Sequence, residues 1–275
     1  MITRTVSGII GAIFAIAAIM FNQTFPLLLN ILVSIVCILA LSELFFAMGI
    51  QKNFVITIPS FILAILLPIL EQGFIWQFSW YIYTAVIFSI MLALYNKITF
   101  KDFAVVYSMT ILLILSLSCI VDIRNYGSAK YGSFYVIMGL AAAWMSDTGA
   151  YFIGSFFGRH KLCPKISPKK TIEGALGGII ISGLSLVLVC LIFNNWVFSV
   201  PVKVNYISLI IMAVISSILS IIGDLSFSLI KRGCHIKDFG NVIPGHGGIL
   251  DRFDSVIFVV PFIYFYIQVF PIIGA

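Results

Sequence analysis

A chain of 275 residues that is 61% hydrophobic and only 9% charged is not an ordinary soluble domain, in which about a quarter of the residues carry charge. Its net charge of +6 suits anionic partners such as lipid headgroups or a nucleotide. Nucleic acid is not expected as a partner, because the basic residues gather in two short loops between apolar segments, without an interleaved aromatic surface.

Nine apolar runs read as membrane-spanning helices. They are Val6–Phe21, Phe25–Met48, Phe54–Leu70, Trp76–Tyr95, Phe103–Val121, Phe134–Phe157, Gly174–Phe193, Tyr206–Ile230 and Ser255–Phe270. The first starts with a charge at Arg4, as a signal peptide would, but Gln23 leads straight into another apolar run and no small-residue cleavage site is evident. It is therefore expected to stay as a helix. No linker, low-complexity tract or internal repeat divides the chain, so residues 1–275 are expected to form one integral membrane domain of all-α, polytopic class.

Charge sets the expected orientation. If the segments alternate, one face carries 13 of the Lys and Arg residues and the other only three, Arg124, Lys130 and Lys203. The positive-inside rule puts the richer face, and the N-terminus, in the cytoplasm. The expected location is the cell's inner membrane, with the working face toward the cytoplasm. Cys37, Cys119 and Cys190 fall in apolar spans, and Cys163 and Cys234 in the two basic loops. With no Cys-x-x-Cys spacing in a reducing compartment, neither disulfides nor a zinc site are expected.

Acidic residues are few enough to weigh singly. Asp147 and Asp224 lie within or at the ends of apolar spans, where a carboxylate needs a partner. On a helix Asp224, Ser228 and Lys231 stand at i, i+4 and i+7, on one face. They are either a site or a pair that neutralises itself within the bundle. Glu43 also lies in an apolar stretch, without an evident local partner, and reads as a packing or helix-contact residue.

Two regions, 144–174 and 224–254, concentrate the polar chemistry. In the first, five basic residues stand between Arg159 and Lys170, with Lys169, Lys170 and Thr171 beside a helix entry. They are either a plain orientation signal or a grip on a triphosphate. Gly174, Gly177 and Gly178 suit close helix packing. In the second, Lys231, Arg232, Lys237, Asp238, His246, Asp251, Arg252 and Asp254 stand between two apolar segments. The run Pro244-Gly245-His246-Gly247-Gly248 is either a simple turn or a backbone cradle for an anion. Asp251 and Asp254 suit helix capping or a hard cation such as Mg2+. Asp224 and Asp251, from neighbouring spans at one membrane face, could bridge a metal. His246 reads as a satisfied polar residue, a phosphate hydrogen-bond donor or a general acid.

These residues resemble a known family. Ser228 to Arg232, Lys237-Asp238, Gly240, Ile243-Pro244, His246 to Ile249 and Asp251 to Asp254 look like the complete signature of phosphatidate cytidylyltransferases, also called CDP-diacylglycerol synthases. The Asp147 to Tyr151 segment, the Ser167 to Thr171 run and Glu173-Gly174 resemble the family's other characteristic region. The likeness is strong from about Trp144 onward; before that it extends only to apolar character and length.

The resemblance implies transfer of CMP from CTP to phosphatidate, with release of pyrophosphate, in a helical membrane enzyme that is a homodimer. It implies a two-cation centre, Mg2+ with a second cation such as K+, on Asp224 and Asp251. Lys231, Lys237 and Arg252 are then expected to neutralise phosphate charge, with Asp238 and Asp254 positioning those bases or metal waters. His246, Gly247 and Gly248 are expected to line the phosphate cradle, and Asp147, Ser228, Lys169, Lys170 and Thr171 to contact substrate. Two rival readings are a transferase acting on an isoprenoid or ether-lipid phosphate, and a transporter using Asp147 and Asp224 as ion sites. A CDP-alcohol phosphotransferase is disfavoured, since its Asp-x-x-Asp-Gly pattern is absent.

Overall fold

The computed structural model describes residues 16–21, 25–70, 72–198, 202–242 and 247–274. It is almost entirely helical. Six helices are long and apolar enough to cross a membrane among the described residues. They are α1 (Pro26–Ala47), α3 (Phe74–Ala93), α4 (Phe100–Arg124), α5 (Ala129–Phe157), α6 (Ile172–Ile192, continued by a π-helical turn at Phe193–Val197) and α7 (Tyr206–Gly233). Two shorter apolar helices complete the set, α2 (Phe54–Leu66) and, after the four-residue α8 (Leu250–Phe253), α9 (Val256–Val269).

Eight of the nine expected segments therefore coincide with helices, and most of the ninth, Val6–Phe21, lies outside the described residues. The two short helices have 13 and 14 residues, about 20 Å of rise, against a hydrocarbon core of about 30 Å. Proline accounts for both. Pro59 and Pro261 lie inside them, and Pro68 and Pro271 follow their ends, where a missing N–H and a ring clash stop further α-helix.

The chain divides into two compact units, each made of two stretches: Met1–Asp122 with Cys234–Asp251, and Ile123–Gly233 with Arg252–Ala275. In the first unit, α2 packs against both α1 and α3. Buried polar groups make hydrogen bonds between the helices and neighbouring segments of this unit. Asn30 donates to the Pro68 carbonyl at 2.7 Å, and Thr110 donates to Ser60 at 3.0 Å while Ser60 also meets the Tyr83 hydroxyl at 3.1 Å. Such bonds hold helices together where lipid supplies no hydrophobic contrast. Phe74, Tyr81 and Leu92 of α3 are exposed, as expected of a helix that faces hydrocarbon.

In the second unit α5 packs along α6, and α7 lies against α5, α6 and α9. Glycine makes the α5–α6 approach close. A Cβ on Gly177 would stand 2.5 Å from Cβ of Ile153, and one on Gly178 would stand 2.8 Å from the Ser146 carbonyl oxygen, so the packing expected of these glycines is present.

The all-α expectation needs one correction. The loop between α5 and α6 contains an antiparallel hairpin, β1 (Lys161–Cys163) and β2 (Ser167–Thr171), paired Lys161 to Thr171 and Cys163 to Ser167. Its base is tied by Glu173, which accepts the backbone N–H groups of Arg159 at 3.0 Å and His160 at 3.2 Å and meets the His160 ring at 2.6 Å. A second pair, β3 (Lys203–Val204) with β4 (Ile273–Gly274), brings the segment before α7 beside the chain's end.

Candidate active site

Charge inside the second unit is drawn to one side of α7. Successive turns of that helix carry Ser220, Asp224, Ser228 and Lys231, as the i, i+4 spacing requires. Ser228 donates to Oδ1 of Asp224 at 3.2 Å. The Lys170 ammonium, delivered by β2, stands 2.5 Å from Oδ2 of the same carboxylate. Ser220 reaches the other way and donates to Oδ1 of Asp147, on α5, at 2.9 Å. Lys231 comes within 3.9 Å of Oδ2 of Asp254, whose Oδ1 accepts the Ser255 N–H at 2.8 Å. Three carboxylates and two lysines from four chain segments are thus gathered within one unit.

The balance of these charges is informative at Asp254, which is 6% exposed. Burial first, and then the negative charge of Asp224, hold its carboxyl well above the usual carboxylate range, against the opposing pull of Lys231. One lysine at 3.9 Å does not offset desolvation plus a neighbouring anion. Added positive charge would stabilise this cluster.

The first unit holds Asp251, another acidic residue of the signature. Its Oδ2 accepts two backbone N–H groups, from Phe239 at 2.8 Å and Gly248 at 3.0 Å. Glu43, on α1, does the same for the next two residues: Oε1 accepts from Ile249 at 2.9 Å and Oε2 from Leu250 at 2.8 Å. Consecutive amides of the glycine-rich segment, expected to cradle phosphate, are therefore engaged by two carboxylates of the chain itself. Gly247 has φ +85°, a left-handed conformation that favours glycine. Beside this loop lies a cavity of about 850 Å³, lined by Phe45, Phe54, Phe61 and Phe239 with Glu43 and Asp238 among its polar groups.

The remaining expected residues have these places. Lys169, Lys237, Asp238 and Arg252 are exposed, and the Arg252 carbonyl accepts from the Trp144 indole at 3.0 Å. Thr171 is buried and caps α6, its hydroxyl accepting the Gly174 N–H at 3.1 Å. His246 lies outside the described residues. Sequence reasoning missed Ser220, which had no motif to mark it, and the work of Glu43. The available signal for Glu43 was its cost, because a carboxylate in an apolar span implies a partner somewhere in the fold.

Among the described residues no three His, Cys, Asp or Glu side chains form a metal-holding group. Mg2+ does not require one, since it usually keeps several waters and takes only one or two carboxylates together with substrate phosphates. The Asp224 carboxylate fits that use. It is a hard oxygen donor, its side chain is 27% exposed, and each oxygen retains acceptor capacity beyond the partner it has.

The family profile described as the cytidylyltransferase family matches residues 2–270. A phosphatidate cytidylyltransferase of Staphylococcus haemolyticus is 32% identical over 261 residues, which cover 94% of this chain and 95% of that relative. The Bacillus subtilis phosphatidate cytidylyltransferase is 39% identical over 175 residues, 64% of this chain and 62% of that protein. For the Staphylococcus saprophyticus protein of the same name, identity is 44% over 136 residues, and the match spans half of each chain. A match along nearly the whole length means that this chain belongs to the cytidylyltransferase family.

Proposed function

We propose that the protein transfers CMP from CTP to phosphatidate, forming CDP-diacylglycerol and pyrophosphate for phospholipid synthesis. A phosphatidate oxygen attacks the α-phosphorus of CTP; the bond from that phosphorus to the bridging oxygen breaks, and pyrophosphate leaves. The attacking phosphate is already anionic near neutral pH, so the main difficulty is to bring two polyanions together and to stabilise charge on the leaving group. The observation that carries the reading is the meeting of Asp147, Asp224 and Asp254 with Lys170 and Lys231 in a membrane-embedded unit of a cytidylyltransferase.

Within this reading Lys231, Lys237 and Arg252 neutralise the attacking phosphate or the departing pyrophosphate, and Lys169 and Lys170 contact the triphosphate. Asp238 and Asp254 orient these bases. Ser220 and Ser228 fix the carboxylates of Asp147 and Asp224 by hydrogen bonds. Asp224 and Asp251 are the proposed holders of Mg2+ and of a second cation such as K+, which would supply positive charge to the triphosphate oxygens. The gathering of three carboxylates, Asp147, Asp224 and Asp254, against two lysines supports a cation in the acidic cluster.

The same proposal includes nine spans, an N-terminus and active site on the cytoplasmic side of the inner membrane, and a homodimer. The 13 to 3 distribution of basic residues supports the orientation, and the resemblance supports the dimer. Phosphatidate then enters from the inner leaflet with its acyl chains still in lipid. The substrate is tested by offering purified protein CTP with phosphatidate, diacylglycerol or a polyprenyl phosphate in one detergent. Pyrophosphate release with phosphatidates of several chain lengths, and none with diacylglycerol, is the expected result. Preference for the polyprenyl phosphate would overturn the lipid assignment.

A further inference from the structure

Four consecutive facts single out Glu43. It is 7% exposed in an apolar helix. It accepts hydrogen bonds from two successive backbone amides, Ile249 and Leu250, at 2.9 and 2.8 Å, across a sequence separation of 206 residues. Those amides directly follow Gly248, whose own N–H is held by Asp251 at 3.0 Å. Finally, two glycines leave room for this carboxylate and nothing larger beside it. A Cβ on Gly240 would stand 2.5 Å from Oε1 and 2.8 Å from Cδ of Glu43, and one on Gly248 would overlap the same carboxylate.

A helix-contact residue in lipid would need none of this geometry. Hydrogen bonds to a charged acceptor are the stronger kind, and here both oxygens of one carboxylate fix adjacent peptide planes. Those planes lead into α8, the turn that carries Asp251 and Arg252. The orientation of that turn is therefore set by a side chain from α1.

We infer that Glu43 is a positioning residue for the reaction: its carboxylate clamps the Ile249 and Leu250 amides and so sets where α8 presents Asp251. It does not touch substrate. The inference rests on the proposed function for the role of Asp251, but the clamp itself is a property of the chain alone.

The test uses full-length protein in detergent. Glu43→Gln keeps the size of the side chain, while replacing one acceptor oxygen with a donor that faces a backbone N–H. Amide hydrogen exchange in 247–251 is expected to accelerate at least about tenfold, as loss of a charge-assisted bond implies, with thermal stability near wild type. The kcat for CTP is expected to fall at least about tenfold with KM changed less than about threefold, the pattern of lost alignment rather than lost binding. Gly240→Ala, which pushes the carboxylate aside, is expected to reproduce both effects with Glu43 intact. Unchanged exchange at 247–251 in Glu43→Gln, or unchanged kcat, would overturn the inference. If neither variant accumulates, the wild type decides: protected Ile249 and Leu250 amides support the clamp, and amides exchanging at unstructured-chain rates refute it. Absence of CTP turnover in the wild type would instead count against the proposed function, while the exchange result would still judge the clamp.

Discussion

Single side chains carry the chemistry, and their partners decide what each substitution does. Asp224 is held by Ser228 at 3.2 Å and Lys170 at 2.5 Å, so Asp224→Asn keeps the shape and removes the charge. An amide is a poor ligand for a hard cation, and kcat is expected to fall at least about a hundredfold, in the range found when a charge-stabilising group is lost. Expression and thermal stability are read alongside. Near-wild-type turnover at limiting Mg2+ would falsify a cation role. Lys231→Met keeps the apolar stem within the buried part of α7 and deletes the ammonium 3.9 Å from Asp254. Membrane insertion is expected to persist and turnover to drop. A protein that inserts and turns over normally would show Lys231 to be a counter-charge only. Outside the spans, burial raises the Cys234 thiol above its ordinary value, with Lys101 opposing. Thiolate is the reactive form, so maleimide labelling of Cys234 is expected to be slow at neutral pH and to rise steeply above it.

At the scale of elements, position depends on close approach and on caps. The closeness of α5 and α6 is what holds Asp147 and Lys170 in the same unit, and it leaves no room at Gly177. Gly177→Ala would put a methyl 2.5 Å from Cβ of Ile153. Overpacking of that kind costs about 1–3 kcal/mol, and a lower melting temperature with reduced turnover is expected. Thr171→Ala removes the cap on Gly174, worth about 1 kcal/mol, and Thr171→Ser is expected to restore it. A rise in the KM for CTP with unchanged stability would instead mean that Thr171 grips the triphosphate.

Much at this scale was legible in the sequence, for physical reasons. Apolar runs of spanning length have few alternatives to helix, because lipid leaves backbone groups no other partner. The spacing of Asp224, Ser228 and Lys231 put them on one face because helical geometry is local. The hairpin at 161–171 was not legible. Its strands are short, polar and interrupted by Pro168, so neither alternation nor β-branched residues announce them. That Lys170 stands on Asp224 and that Lys231 comes near Asp254 was not legible either, because those partners come from other segments of the chain. The partners of Glu43 were out of reach for the same reason, since contacts across 206 residues leave no local pattern.

For the whole molecule, two polar clusters lie in two units of a chain otherwise built from apolar helices. Under the proposed orientation the basic loops at 159–170 and 231–252 lie on the cytoplasmic side. Cys163 and Cys234 are free thiols in those segments, and both are expected to resist an impermeant reagent in intact cells and to label after permeabilisation at raised pH. Labelling of either from outside would reverse the orientation. The central claim is the transfer of a cytidylyl group to a phosphate-bearing lipid, and position-labelled CTP tests it most directly. With phosphatidate and purified protein, label at the α-phosphate is expected to enter the lipid fraction while label at the γ-phosphate is released as pyrophosphate. Appearance of the γ-label in lipid, or of neither label, would contradict it.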